Sequence, residues 1–437
     1  MQRKAINQLI EWKNRNKKKP LVITGARQVG KTWLMKEFGK TEYKNFAYIN
    51  FDSNERMIRL FSSDMDIKRL ITGLEIEADS KIIPEETLII FDEIQECPKA
   101  LTSLKYFYEN APEYNIVSAG SMLGVALHSG TSFPVGKVEF MELYPISFFE
   151  FLKALGENDL LKLIDNLDFE LIKTFKDKYI NLLRQYYFIG GMPEVVANFV
   201  QARDFKEVRA IQKNILMSYE QDFSKHIPHA TVPKLRMLWN SIPSQLSKEN
   251  KKFIYGLIRH GARAREYETA LTWLCDCGLV YKINRINKPS LPLIAYEDIG
   301  AFKLFISDVG LLSAMTELDV KTLLEGNKIF EEFKGALTEQ YVLQQLKTVK
   351  DLPVYYWTSD KGDAELDFII QIDSKIVPIE AKASTNLQAK SLKSYRAKFE
   401  PKISVRTSTA DYKKEDGLYD IPLYLLETSQ KIIQRND

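Results

Sequence analysis

Cysteine is scarce: Cys97, Cys275 and Cys277 are the only three in 437 residues. Three thiols cannot make a disulfide framework, so the expected setting is a reducing, cytoplasmic one. Histidine is almost as rare, at four residues. Cys275-Asp276-Cys277 has no second cysteine pair with which to complete a zinc site. His226-Ile227-Pro228-His229 reads as a loop before a helix. Long apolar runs are missing too. The longest weakly polar stretch, Ile116 to Leu127, is interrupted by Ser118 and Ser121, well short of the ~18 residues that span a bilayer. Met1-Gln2-Arg3-Lys4-Ala5 shows no apolar core of a secretory leader, so no membrane partner is expected. Neither sign of charge dominates. Lys and Arg total 61 against 58 Asp and Glu, for a net charge of +3. Bulk charge therefore does not mark a nucleic-acid binder, and any such surface has to be local. Internal repeats and low-complexity tracts are also lacking.

What remains is ordinary globular material, with 45% hydrophobic and 27% charged residues. At about 150 residues per domain, this length predicts roughly three domains.

The most informative stretch is Pro20 to Thr32. An apolar run, Leu21-Val22-Ile23, leads into Gly25-Ala26-Arg27-Gln28-Val29-Gly30-Lys31-Thr32. This fits G-x-x-x-x-G-K-[ST], the P-loop, at every constrained position. Gly25 and Gly30 let the backbone curl so that its N–H groups face a polyphosphate. The following helix, beginning near Trp33-Leu34-Met35, adds its positive N-terminal end. Lys31 is expected on the β- and γ-phosphates and Thr32 on Mg²⁺. We take Gly25, Ala26, Arg27, Gln28, Val29, Gly30, Lys31, Thr32 and Trp33 as the ATP-binding set. About 60 residues later, Thr87-Leu-Ile-Ile-Phe-Asp-Glu93 reads as a buried parallel strand ending in two acids. Acids at that carboxyl end sit where open α/β sheets bind ligands. Asp92 is expected to hold Mg²⁺ and Glu93 to polarise the attacking water, with Lys31 as the catalytic cation.

Other segments fall in order around these. Residues 1–19 read as a short helix ending in Lys17-Lys18-Lys19. Residues 46–50 and 114–121 read as further strands, with Ser118 or Ser121 as a candidate γ-phosphate reporter. Residues 138–152 return the chain to the sheet and start a helical region. That region, 151–228, is broken by Gly190-Gly191-Met192-Pro193 and reads as a lid, with Arg184 and Arg203 as candidate phosphate cations. Over 229–300, Tyr267 to Leu274 reads as a helix stopped by Gly278, and Leu279 to Ile283 as a strand, which is a winged-helix order. The basic run Lys248, Lys251, Lys252, Arg259, Arg263, Arg265 reads as a solvated face in a packing module, or as contact with DNA phosphates.

Residues 301–437 carry a second constellation. Residues 330–346 read as a helix in which Ala336, Glu339, Leu343 and Leu346 share a stripe. A carboxylate there needs a partner or a metal. Ala364 to Ile370 and Lys375 to Lys382 read as a hairpin. Period-2 alternation sets Asp367 opposite Leu366 and Phe368, and puts Glu380 and Lys382 on one face. An Asp, then Glu-x-Lys on the next strand, after a helical Glu, is the layout of PD-(D/E)xK nucleases. Glu339, Asp367 and Glu380 would hold Mg²⁺, with Glu380 and Lys382 as catalytic residues.

Taken together, Thr24 to Thr32, Phe91-Asp-Glu-Ile-Gln95, Ala119-Gly-Ser121, Gly190-Gly-Met-Pro193, Ser307-Asp-Val-Gly-Leu311 and Ile379-Glu-Ala-Lys382 resemble a family. They look like the AAA-type ATPases of bacteria and archaea whose C-terminal domain is uncharacterised. The resemblance implies ATP binding, with Lys31, Thr32, Asp92 and Glu93 as the ATPase residues. Where many members have Gly-Arg after the sensor strand, this chain has Gly136-Lys137, and lysine cannot make arginine's bidentate phosphate contact.

The expected fold is α/β: an AAA-type P-loop parallel sheet over 1–150, the helical lid, a winged helix, and a restriction-endonuclease-like domain. Three functions fit it. One is a nucleotide-driven switch acting on an unidentified protein partner or on DNA. Another is an ATP-regulated, metal-dependent DNA nuclease. The last is a DNA-binding regulator with an inactive nuclease fold.

Overall fold

The computed structural model describes residues 2–120, 134–248, 251–325, 331–359, 362–385 and 388–435. The chain divides into two compact units. One comprises Met1–Tyr144 with Thr272–Leu279; the other comprises Pro145–Leu271 with Val280–Asp437. No helix among the described residues is long and apolar enough to cross a membrane.

The first unit is built on five strands: β1 (Leu21–Thr24), β2 (Asn45–Asn50), β3 (Thr87–Asp92), β4 (Asn115–Ala119) and β5 (Glu139–Glu142). Their order is β2-β3-β4-β1-β5, and every pairing is parallel. Strands β3 and β4 are buried along their whole length. This is why they read as continuous apolar runs, the signature of parallel strands covered on both faces. Helices α1 (Ala5–Lys13), α2 (Lys31–Glu42), α3 (Glu55–Ser63), α4 (Ile67–Ala78) and α5 (Pro98–Asn110) fill the connections. Val22, Ile49, Ile89, Phe91 and Ile116 from the sheet pack with Leu70 and Leu74 of α4 and with Leu101, Leu104 and Phe107 of α5. Asn54 and Asp66 cap α3 and α4 by accepting the N–H groups of Met57 and Arg69. The unit ends at Tyr144, a few residues short of the expected 150.

The second unit opens with helices, including Phe148–Ala154, Lys176–Ile189, Pro193–Ala202 and Phe205–His226. The run expected to form a lid therefore lies here. It is interrupted at Gly190, whose φ is +74°. An eight-stranded sheet follows: β6 (Val280–Ile286), β7 (Glu297–Ile306), β8 (Val354–Thr358), β9 (Glu365–Ile372), β10 (Lys375–Ala381), β11 (Ser404–Ser408), β12 (Lys413–Glu415) and β13 (Leu418–Pro422), in the order β12-β13-β11-β10-β9-β8-β6-β7. Helices Val232–Leu246 and Ala264–Asp276 precede the β6–β7 hairpin, so the helix–helix–strand–strand order is present. The segment does not close on itself as a separate module, however. Arg285 and Ile286 of β6 pair in parallel with Tyr356 and Trp357 of β8, which makes the hairpin the edge of the same sheet that holds residues 354–422. Hydrogen bonding in this sheet thus runs across the boundary expected near residue 300.

The helix Glu331–Lys347 is fixed to this unit by buried glutamines. Gln340 exchanges two hydrogen bonds with the backbone of Ile306, at 3.0 and 2.6 Å. Gln344 accepts the N–H of Val309 at 2.8 Å. Polar side chains buried this way satisfy main-chain groups that helix packing leaves open.

Candidate functional site

The P-loop follows β1 directly. Gly25 has φ +130°, and a Cβ there would lie 2.3 Å from the carbonyl oxygen of Leu143. Only glycine fits so close an approach. Gln28 and Gly30 also have positive φ, and α2 begins at Lys31. Left-handed residues spaced this way curl a backbone so that its N–H groups converge. The side chains of Ala26 and Val29 are buried, while Arg27, Gln28 and Trp33 are exposed. Lys31 is buried, and its ammonium donates to the carbonyls of Gly25 at 2.9 Å and Ala26 at 2.8 Å. Burial pulls its pKa down to about 8, although Glu93 and Asp92 act in the opposite direction.

Asp92 ends β3, and its carboxylate is crowded with donors. The Thr32 hydroxyl donates to Oδ2 at 2.7 Å, and the Tyr48 hydroxyl donates to the same oxygen at 2.9 Å. The Glu93 N–H donates to Oδ1 at 3.2 Å. Thr32 and Asp92 thus present a hydroxyl and a carboxylate side by side. That oxygen-only pair, with room needed only for retained waters, suits Mg²⁺. Glu93 sits in the left-handed region at φ +49°, an unusual backbone for a glutamate and one that often marks functional positions. Its Oε2 accepts the Gln95 amide at 2.6 Å.

Ser118 is fully buried and donates its hydroxyl to the Leu21 carbonyl at 3.2 Å, so its donor is spent inside the sheet. Ser121 and residues 131–133 lie outside the described residues. Lys137 pairs with Glu109 at 2.8 Å. Arg203 lies over the ring of Phe199, in the helix that it caps.

Three features of this site escaped the sequence reading. Tyr48 reaches Asp92 from β2. Arg3, buried before α1, donates to the Val29 carbonyl at 3.0 Å and to the Tyr144 carbonyl at 2.6 Å. Gly278 has φ +68°, and a Cβ on it would meet the Ala26 nitrogen at 2.9 Å. The linear pattern signals none of the three, and the Phe91-to-Gln95 motif includes Gln95 without assigning it a role.

In the second unit the expected acids do converge. Ile379 of β10 pairs antiparallel with Phe368 of β9, and the Ala381 N–H donates to Asp367 Oδ2 at 2.8 Å. Lys382 Nζ lies 2.6 Å from Glu380 Oε1. Glu339 on the helix Glu331–Lys347 bonds Lys251 and lies 3.9 Å from Lys303. Lys303, on β7, pairs with Glu365 at 2.5 Å. Burial opposes charge on Glu339, yet Lys251 and Lys303 hold it below the ordinary carboxylate range. Burial raises Asp367, as do Glu339 and Glu380 beside it. Burial also raises Glu380, against the pull of Lys382.

Glu339, Asp367 and Glu380, the residues expected to hold a metal, act on one another electrostatically. Among the described residues no three His, Cys, Asp or Glu side chains are grouped to hold a metal. Lys251 and Lys382 each take one oxygen of Glu339 and Glu380, and the Ala381 N–H takes one of Asp367, while Glu339 Oε2 and Glu380 Oε2 are buried without a hydrogen-bond partner.

Comparison with known proteins divides the chain into three parts. Residues 17–152 match a family described as AAA domain. Residues 180–322 and 334–426 match two domains of unknown function, DUF8612 and DUF4143. An uncharacterised protein of Mycobacterium tuberculosis is 24% identical over 375 residues, covering 84% of this chain and 70% of its own length. A counterpart in Mycobacterium bovis matches to the same extent. Among solved structures, a Walker-type ATPase of Pyrococcus abyssi is 16% identical, with 72% of this chain and 95% of that chain covered and a TM-score of 0.47. The RuvB Holliday junction branch migration motor of Thermotoga maritima is 12% identical over 69% of this chain and 92% of that chain, with a TM-score of 0.29. The loop geometry and the five-stranded parallel sheet agree with the family match: residues 17–152 have the pattern and the sheet of an AAA domain.

Proposed function

We propose that this protein hydrolyses ATP as a nucleotide-driven switch, with Mg²⁺ held by Thr32 and, through water, Asp92. The observation that carries the reading is the 2.7 Å hydrogen bond from Thr32 to Asp92. It joins the end of the P-loop to the acid of β3, the pairing that phosphoryl-transfer sites use around their metal. Bound Mg²⁺ would neutralise charge on the β- and γ-phosphates. The loop N–H groups and Lys31 would bind the same phosphates, Lys31 leaving the carbonyls of Gly25 and Ala26 to do so. Glu93 would accept a hydrogen bond from the attacking water and align it, held in place by Gln95. The water oxygen bonds to the γ-phosphorus as the bond to the bridging oxygen breaks, giving ADP and phosphate.

Nucleotide titration and a phosphate-release assay test this. Lys31→Ala should weaken ATP binding at least tenfold. Glu93→Gln should keep binding and lose turnover. An unchanged ATP affinity in Lys31→Ala overturns the reading.

A DNA partner is favoured by one observation. Arg259 and Arg263 are exposed on the segment that leads into the helix before β6, and Arg265 is exposed in that helix's first turn. DNA affinity that falls steeply with salt, and falls further when these arginines are replaced, would support DNA as the object of the switch. ATP turnover without DNA affinity would leave a protein partner.

A further inference from the structure

The carboxylate cluster of the second unit carries its own cations. Glu339, Glu365, Asp367 and Glu380 come from one helix and two adjacent strands. Lys303 enters from β7 with a fully buried side chain. Its ammonium lies 2.5 Å from Glu365 Oε1, 3.9 Å from Glu339 Oε2 and 4.9 Å from the centre of the Tyr356 ring. Lys251 reaches Glu339 from a different part of the chain, and its side chain is only 11% exposed. Lys382 closes the third side, on Glu380. Three ammonium groups thus face four carboxylates.

Lys251 is delivered by construction. The Phe253 N–H donates to the Phe302 carbonyl at 2.8 Å, next to Lys303 on β7. The Phe253 and Phe302 rings stack at 5.4 Å. Gln245 then clamps Ile254, accepting its N–H at 3.1 Å and donating to its carbonyl at 2.9 Å. The segment bearing Lys251 is therefore laced to the strand bearing Lys303 and to the helix before it.

We infer that Lys251 and Lys303 fill the role of a divalent cation in this cluster, making it a self-neutralised ion network that excludes Mg²⁺ and Mn²⁺. A divalent ion needs several oxygen ligands and an excess of negative charge. Here Lys251 and Lys303 take up Glu339 and Glu365, and Lys382 takes up Glu380. Asp367, the fourth carboxyl, is pushed toward its neutral form by burial and by Glu339 and Glu380 beside it, and each ammonium repels a second cation at close range. Mutual neutralisation is also what makes such deep burial of these charges tolerable. The layout of a nuclease is thereby converted into a fixed structural element, and metal-dependent cleavage has no place in it.

Mn²⁺ binding to the full-length, nucleotide-free protein, followed by the electron paramagnetic resonance of free Mn²⁺, tests this. Wild type and Glu380→Gln should bind the same number of ions. Lys251→Met, at the edge of the cluster, should gain one Mn²⁺ that the Lys251→Met/Glu380→Gln double variant loses again. Lys303→Met should gain the same ion, but Lys251→Met and the wild-type comparison decide the matter if that core substitution fails to fold. One more ion bound by wild type than by Glu380→Gln overturns the inference. Failure of the folded lysine variants to gain a site overturns it as well, because exclusion would then not be due to the lysines.

Discussion

Asp308 accepts the backbone N–H of Gly191 on Oδ2 at 2.6 Å, across 117 residues of sequence. The same carboxylate accepts the Leu311 N–H at 3.0 Å and the Gln344 amide at 3.1 Å. Gly190-Gly191-Met192-Pro193 and Ser307-Asp308-Val309-Gly310-Leu311 are thus two halves of one buried knot. Their presence as short motifs reflects folding of the second unit.

Asp308→Asn should destabilise the protein by about 1–3 kcal/mol, since an amide NH₂ would face a backbone N–H and leave it unpaired. Burial raises the Asp308 pKa from the ordinary 3.8 to about 6. A raised acid pKa means the folded state holds its proton longer than the unfolded state. Its contribution is fully present below about pH 3.8 and is lost as pH rises through 6. The stability advantage of wild type over Asp308→Asn should therefore be larger at pH 4 than at pH 7, as read by thermal unfolding at each pH.

Lys31 gives the nucleotide site a pH dependence. Its pKa is about 8 against an ordinary 10.5. Phosphate binding requires the ammonium, so ATP affinity should be flat below pH 8 and fall by about tenfold per unit above it. The folding linkage has the opposite sense. Between pH 8 and 10.5 the unfolded chain holds more protons at this side chain, so the group adds stability as pH rises through that window. Calorimetric ATP titrations from pH 7 to 9.5 separate the two effects.

Gln95→Ala should lower kcat on the order of tenfold while leaving ATP affinity unchanged. Among the described residues, the side-chain amide donates to the Glu93 carboxylate at 2.6 Å and to the Glu96 carboxylate at 3.4 Å. A base left free to rotate loses part of the 10²–10⁴-fold that such groups contribute. A parallel loss of nucleotide affinity would contradict this role.

Gly278→Ala should weaken ATP binding. The substitution imposes a left-handed backbone on alanine, costing about 1–2 kcal/mol, and drives its Cβ toward the Ala26 nitrogen. Gly261→Ala is the control. Gly261 is left-handed too, at φ +78°, but a Cβ there meets nothing within 4 Å. It should show the backbone cost in thermal unfolding with unchanged ATP affinity.

Most of the nucleotide site was readable because its chemistry is local. Gly25 to Thr32 is contiguous, and buried parallel strands leave unbroken apolar runs that end in acids. The β9–β10 hairpin was readable for a related reason, since period-2 alternation sets which side chains share a face. Partners supplied from a distance left no such trace. Tyr48, Arg3 and Gly278 sit in ordinary-looking segments, and Lys251 is one of a run of basic residues whose partner, Glu339, lies 88 residues away.

The sequence by itself determined the P-loop, the strand ending in Asp92 and Glu93, the helical run broken at Gly190, and the converging acids near the C-terminus. Each depends on residue type and periodicity within a few turns of chain. Tertiary structure alone decided that β6 and β7 extend the C-terminal sheet, and that Asp308 knots two distant motifs. It also decided that Lys251 and Lys303 meet Glu339 and Glu365. Those outcomes depend on which charges and backbone groups meet in the folded core, where an unpaired charge costs too much to remain and the nearest ammonium resolves it.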